Sequence, residues 1–136
     1  MLDKDTIALI IADISGKDVS AALFMSLIRT LIRIFAERAQ VNGEDPLGSV
    51  KVVNEYLFQH HLQGEGRSSM FTTMVFAVLQ PRTGELRYIN AGHISPVIVK
   101  ENSIKKTLKP TGIAIGLVDG CSYCLLYTSP SPRDCS

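Results

Sequence analysis

Residues 10–22 read IIADISGKDVSAA, and the succession of residue types there decides the architecture. A β-branched run ends in Asp13, Ser15-Gly16 makes a tight turn, and an apolar helix follows. The run is TIALIIA, residues 6–12. It shows no alternation, so it predicts a strand buried on both faces. It starts almost at the first residue, with no edge strand before it. A central strand in that place hints at native sequence upstream.

Asp18 suits the N-cap of a helix over residues 19–40. Ala21, Phe24, Met25, Leu27, Ile28, Leu31, Ile32 and Phe35 recur at threes and fours, while Arg29, Arg33, Glu37 and Arg38 take the other side. Residues 41–46 (VNGEDP) stop this helix and start a second over 47–62, whose face is Val50, Val53, Leu57 and Phe58. A short connection makes the two helices antiparallel.

Beyond the loop at 63–69, residues 70–79 (MFTTMVFAVL) read as a strong strand and 80–84 as a turn. Residues 85–90 (ELRYIN) alternate, which predicts a half-exposed strand pairing back as a hairpin. Ala91-Gly92-His93 turns sharply. Short strands follow over 96–99 and 104–108, then a Gly-punctuated segment at 111–117. One strand, two helices and consecutive antiparallel strands make an α+β fold.

The bulk numbers set limits. At 136 residues with 46% hydrophobic and 20% charged side chains, the chain suffices for one domain with a real core. A net charge of +1 gives no electrostatic reason to expect nucleic acid as partner. No apolar run of about 18 residues, as a membrane span requires, is expected: residues 21–36 are interrupted by Arg29 and Arg33. There is no secretory h-region. The three cysteines all follow residue 120 and form no disulfide framework, which points to a reducing, cytoplasmic setting. Residues 121–136 (CSYCLLYTSPSPRDCS) have no useful period and end Ser/Pro-rich. With Gly120 they read as a disordered or non-native tail, residues 120–136, on a domain of residues 1–119.

The chemistry gathers at Asp13. Hard divalent cations take carboxylate and carbonyl oxygens. Asp13 offers the first, and the carbonyl of Ile14 the second. Gly16 permits the turn, Lys17 adds positive charge, and the helix start presents N–H groups suited to a phosphoryl oxygen. The plainer alternative is a strand-end acid that stabilises a turn.

Asp13-Ile14-Ser15-Gly16-Lys17 with Ala21-Ala22-Leu23 resembles the stage II sporulation protein E and sigma-B-regulator branch of the PPM (PP2C-like) phosphatases. So do Phe71-Thr72-Thr73-Met74 and the hairpin from Thr83 through Asn90-Ala91-Gly92-His93. Pro96, Thr111-Gly112 and Gly116-Leu117 continue the likeness, which spans residues 7–118. The resemblance implies an αββα sandwich holding two Mn²⁺ or Mg²⁺ ions, whose bound hydroxide attacks a phosphoserine or phosphothreonine. It places Asp13 on the bridging metal-ligand aspartate and Ile14 on a backbone-carbonyl ligand, with Ser15, Gly16, Lys17, Asn90, Gly92 and His93 near the site. It also implies a phosphorylated anti-anti-sigma (STAS-type) protein as substrate and an upstream sensor domain as regulator.

The departures are specific. The branch's acidic GGDxYD motif has no counterpart before residue 6. Ser129-Pro130 stand where a TDGLxE motif should have Asp-Gly, and Asp18 replaces a glycine. One carboxylate remains of the recognised set, so the expectation is a domain incomplete at both ends and inactive as it stands. The alternative is a pseudophosphatase that binds a STAS or anti-sigma partner without turnover.

Other features weigh less. Cys121 and Cys124 make a CxxC with neither four zinc ligands nor a βαβ setting. His60 and His61 are adjacent, point to different faces and suit helix-end capping. His93 suits a hydrogen-bonded turn rather than a metal. Arg29 and Arg33 are either salt-bridged surface residues or contacts to an acidic partner. Residues 64–67 read as a plain loop or an active-site flap.

Overall fold

The computed structural model of the chain describes residues 4–16, 19–60, 70–118, 120, 123 and 126–127. Strand β1 (Ile7–Ile14) leads through the Gly16 turn to helix α1 (Val19–Val41). A 3-10 turn at Pro46–Gly48 and helix α2 (Ser49–His60) follow, then strands β2 (Thr72–Gln80), β3 (Glu85–Ala91), β4 (Val97–Lys100), β5 (Ser103–Thr107) and β6 (Leu126–Tyr127). The expected start of the second helix at residue 47 is corrected to 49. Pro46 and Leu47 sit in the tighter turn, where the Asp45 side chain accepts from Leu47 N at 3.1 Å.

The sheet order is β1-β2-β3-β6, with all pairings antiparallel. Both helices lie on one face. From α1, Ala21, Phe24, Ile28, Ile32, Ala36 and Ala39 are buried at intervals of three and four residues. Ile28 and Ile32, with Leu47, Val50, Val53 and Leu57, meet Met74, Phe76 and Val78 of β2 and Ile89 and Ala91 of β3 in one cluster. Burying each such side chain contributes roughly 1.5–3 kcal/mol. Arg87 on β3 ties the sheet to the interhelical turn through an ion pair with Asp45. On the opposite face Ala77 and Tyr88 are covered by Leu108, with Ile98 of the β4–β5 hairpin packed alongside. That hairpin closes through Glu101 and Asn102, both at positive φ (51° and 60°), a two-residue turn whose twist matches the flanking strands.

Two strand expectations are corrected. The first strand is not buried on both faces: among the described residues its sheet partner is β2 alone, and Leu9, Ile10 and Ile11 are 49%, 39% and 55% exposed. The ELRYIN strand is not half-exposed at its C-terminal end, since Tyr88, Ile89, Asn90 and Ala91 are all buried. It lies between β2 and β6, with helices on one face and the hairpin on the other.

Helix α1 is, by length and composition, apolar enough to cross a membrane, contrary to expectation. Its apolar face is spent on the sheet. Residues 126–127, inside the stretch expected to lack regular structure, pair with Arg87 and Tyr88 of β3. Asp18, Cys121, Cys124, His61 and the 64–67 loop lie outside the described residues.

Candidate functional site

The start of β2 joins the two motifs that lie furthest apart in the chain. Ser15 N donates to the Phe71 carbonyl at 3.0 Å, and Phe71 N donates to Ser15 Oγ at 3.0 Å. Thr72 turns its backbone the other way: its N–H donates to the Ile115 carbonyl at 3.0 Å, and its carbonyl accepts from Ile115 N at 2.8 Å. Antiparallel pairs alternate between bonded and non-bonded. Ile14, opposite Thr72, therefore directs its carbonyl away from β2, toward the open edge of the sheet. The Asp13 carbonyl accepts from the fully buried Thr72 through Oγ1 at 3.0 Å. The Asp13 side chain is exposed on the face opposite the helices, in register with Thr73.

Thr73 then reaches His93. Its hydroxyl lies 2.8 Å from His93 Nδ1 and 3.4 Å from the Asp13 carbonyl. Gly16 has φ +111°, and a Cβ there would sit 3.4 Å from the Ala21 methyl, so the turn needs glycine to bring α1 back onto the strand. Lys17 lies outside the described residues.

Asn90 holds the far side of the site. It is 0% exposed. Its Nδ2 donates to the Leu108 carbonyl at 2.9 Å, and its Oδ1 accepts from His93 N at 2.8 Å. Its carbonyl accepts from Thr111 N and Gly112 N at 2.8 and 3.2 Å. One side chain thus shapes the turn at Gly92, places His93 and pins the end of the hairpin. Gly92 has φ +68°, and a Cβ there would lie 3.0 Å from the Ala114 backbone nitrogen. Gly92→Ala is expected to cost about 2 kcal/mol through left-handed strain and that backbone contact. Urea denaturation checks it, with the midpoint falling and the slope unchanged.

Two contributors were not singled out as site residues in the sequence. Thr73 is marked in the sequence only as a member of the Phe71-Thr72-Thr73-Met74 motif, with nothing to assign its hydroxyl a partner. Asn54 on α2 is 1% exposed; its Oδ1 accepts from Gly116 N at 2.8 Å and its Nδ2 donates to the Val118 carbonyl at 2.9 Å. A polar residue between Val50, Val53 and Leu57 on the apolar face was the available hint. Of the other flagged residues, His60 stacks against Tyr56 with ring centroids 4.5 Å apart. Arg33 pairs with Glu37 at 3.0 Å, both well exposed.

Among the described residues there is no group of three or more His, Cys, Asp or Glu that could hold a metal. Asp13 with the Ile14 carbonyl is a partial donor set, and it does not by itself fit two hard cations, which want six or more oxygens each.

The arrangement of helices on an antiparallel sheet is that of part of a PP2C-like phosphatase domain. A solved structure of the PP2C phosphatase domain and a regulatory fragment of SpoIIE from Bacillus subtilis superposes with TM-score 0.75 at 14% identity, over 96% of this chain and 36% of that one. At that identity the likeness shows the fold alone. The RsbU and RsbW domains of Rv1364c from Mycobacterium tuberculosis superpose with TM-score 0.69 at 27% identity, covering 91% of this chain and 32% of that one. Protein IcfG of Synechocystis is 32% identical over 145 residues, which take in 90% of this chain and 22% of that protein. The family model for stage II sporulation protein E (SpoIIE) matches residues 3–129, and the chain belongs to that family. It spans well under half the length of each of these relatives.

Proposed function

We propose that this chain is part of a metal-dependent serine/threonine phosphatase domain of bacterial signalling, acting in the cytoplasm on a phosphorylated STAS-type protein under an upstream sensor domain. Family membership supports the reaction class. The observation that carries the site is the edge of β1, where the Asp13 carboxylate is exposed beside an outward-directed Ile14 carbonyl. Asp13 and Ile14 are the proposed ligands for Mn²⁺ or Mg²⁺. Ser15 and Gly16 shape the turn, and Lys17, Asn90, Gly92 and His93 are assigned to its surroundings. The domain is taken as residues 1–119 and the remainder as tail.

A Mn²⁺ or Mg²⁺ pair would supply an activated water. With one carboxylate among the described residues in reach, the 136-residue chain is proposed to be inactive by itself. The second reading is a pseudophosphatase that engages a STAS or anti-sigma partner without turnover.

The test uses the chain itself. Titrated with Mn²⁺ and followed by NMR, it should show weak paramagnetic broadening centred on residues 13–16, lost in Asp13→Asn. A phosphoserine peptide should survive incubation with Mn²⁺. Broadening elsewhere sinks the ligand assignment, and Mn²⁺-dependent turnover abolished by Asp13→Asn sinks the inactivity.

A further inference from the structure

We propose that the cleft between the end of α1 and the start of α2 binds a small zwitterion, a free amino acid with an apolar side chain. The cleft measures about 320 Å³, at the small end of the range for ligand sites. All its walls come from one continuous stretch, residues 35–52, so its shape belongs to the helix junction itself. It lies roughly 30 Å along α1 from the turn after Asp13, apart from the phosphatase chemistry.

Ser49 is left wanting a partner. It is 3% exposed, and its backbone N–H is bonded within the 3-10 turn. Its Oγ has no hydrogen-bond partner among the described residues. A buried hydroxyl in that state is costly, and native folds rarely keep one. Ser49 lines the cleft, so a ligand seated there can supply the missing bond.

Charge fixes the two ends of that ligand. Arg38 and Glu44 line the same cleft, both exposed, and neither is in an ion pair among the described residues. Asp45 adds no free charge, because its carboxylate accepts from Leu47 N and pairs with Arg87. A carboxylate on the ligand suits Arg38, and an ammonium suits Glu44. Phe35, Ala39 and Val52 offer apolar surface to a side chain. A plain anion would be opposed by Glu44 and a plain cation by Arg38, so each satisfies one end only. Gly48 keeps the cleft open. Its φ is not positive, and nothing lies within 4 Å of where a Cβ would stand. Neither conformation nor packing asks for glycine there, and a side chain would take up cleft space.

The test titrates L-leucine into the intact chain and follows backbone amides by NMR. Residues 35–52 should shift and saturate. Leucine amide lacks the carboxylate and N-acetyl-leucine lacks the ammonium; each should bind at least about tenfold more weakly, through loss of a charge-assisted bond. Arg38→Gln should remove the preference over leucine amide alone, and Glu44→Gln the preference over N-acetyl-leucine alone. Ser49→Ala should weaken leucine about fivefold without lowering the urea midpoint, since its hydroxyl has no partner to lose. Gly48→Met should abolish binding with the fold kept. The absence of a saturable shift means that a water alone serves Ser49, and overturns the proposal. Equal affinity for all three compounds overturns the zwitterion. Shifts centred on the sheet, undiminished binding by Gly48→Met, or a lowered midpoint in Ser49→Ala each overturn the site.

Discussion

Phe76→Ala is expected to destabilise the chain by about 4 kcal/mol, within the range for a buried phenylalanine cut back to alanine. Phe76 is 0% exposed at the middle of β2, with Ile10 opposite on β1 and Ile89 opposite on β3. Its ring belongs to the helix-side cluster that includes Ile28, Ile32 and Leu57. Removing it takes away the transfer free energy of the ring and leaves a void, since neither backbone neighbour is free to close in while the strands keep register. Single domains are stable by only about 5–15 kcal/mol, so the loss is a large share of the total. Urea denaturation followed by far-UV circular dichroism measures it. A cost below about 1 kcal/mol would mean that the helices do not pack on the sheet as described.

Asn90→Ala is expected to cost about 3 kcal/mol by a different route. The truncation removes two side-chain hydrogen bonds and leaves the Leu108 carbonyl and the His93 N–H to find other partners. An unsatisfied buried group costs about 1–3 kcal/mol, well above the net value of the bond itself. The damage should also be local in a way that Phe76→Ala is not. Amide exchange should accelerate at His93 and through residues 111–112, which bond to the Asn90 carbonyl, before it does so in the helices. Uniform acceleration would show that Asn90 is only a packing residue.

These two positions also separate what each level of description contributed. Phe76 sits in an unbroken apolar run, so its burial was legible without coordinates. Asn90 was legible as part of a motif, but its work was not: its partners at residues 93 and 108 belong to a turn and to the end of a hairpin that only the folded sheet brings together. The same holds for Thr73. Nothing local marks that hydroxyl as the link between the Asp13 strand end and His93, because the link depends on the register of β2 against its neighbours.

What the sequence determined was everything that follows from short-range periodicity. The helices, the four-residue spacing of the α1 face, the hairpin turns, the Ser15-Gly16 bend and the site motif all depend on residues a few positions apart. What the tertiary structure decided was neighbourhood. It closed β3 on both faces, turned the Ile14 carbonyl away from β2, and brought the Thr73 hydroxyl to His93. The physical reason is that burial and hydrogen-bond partnership across a sheet are fixed by which strands lie side by side. That choice depends on the packing of the whole chain, and no window of a few residues contains it.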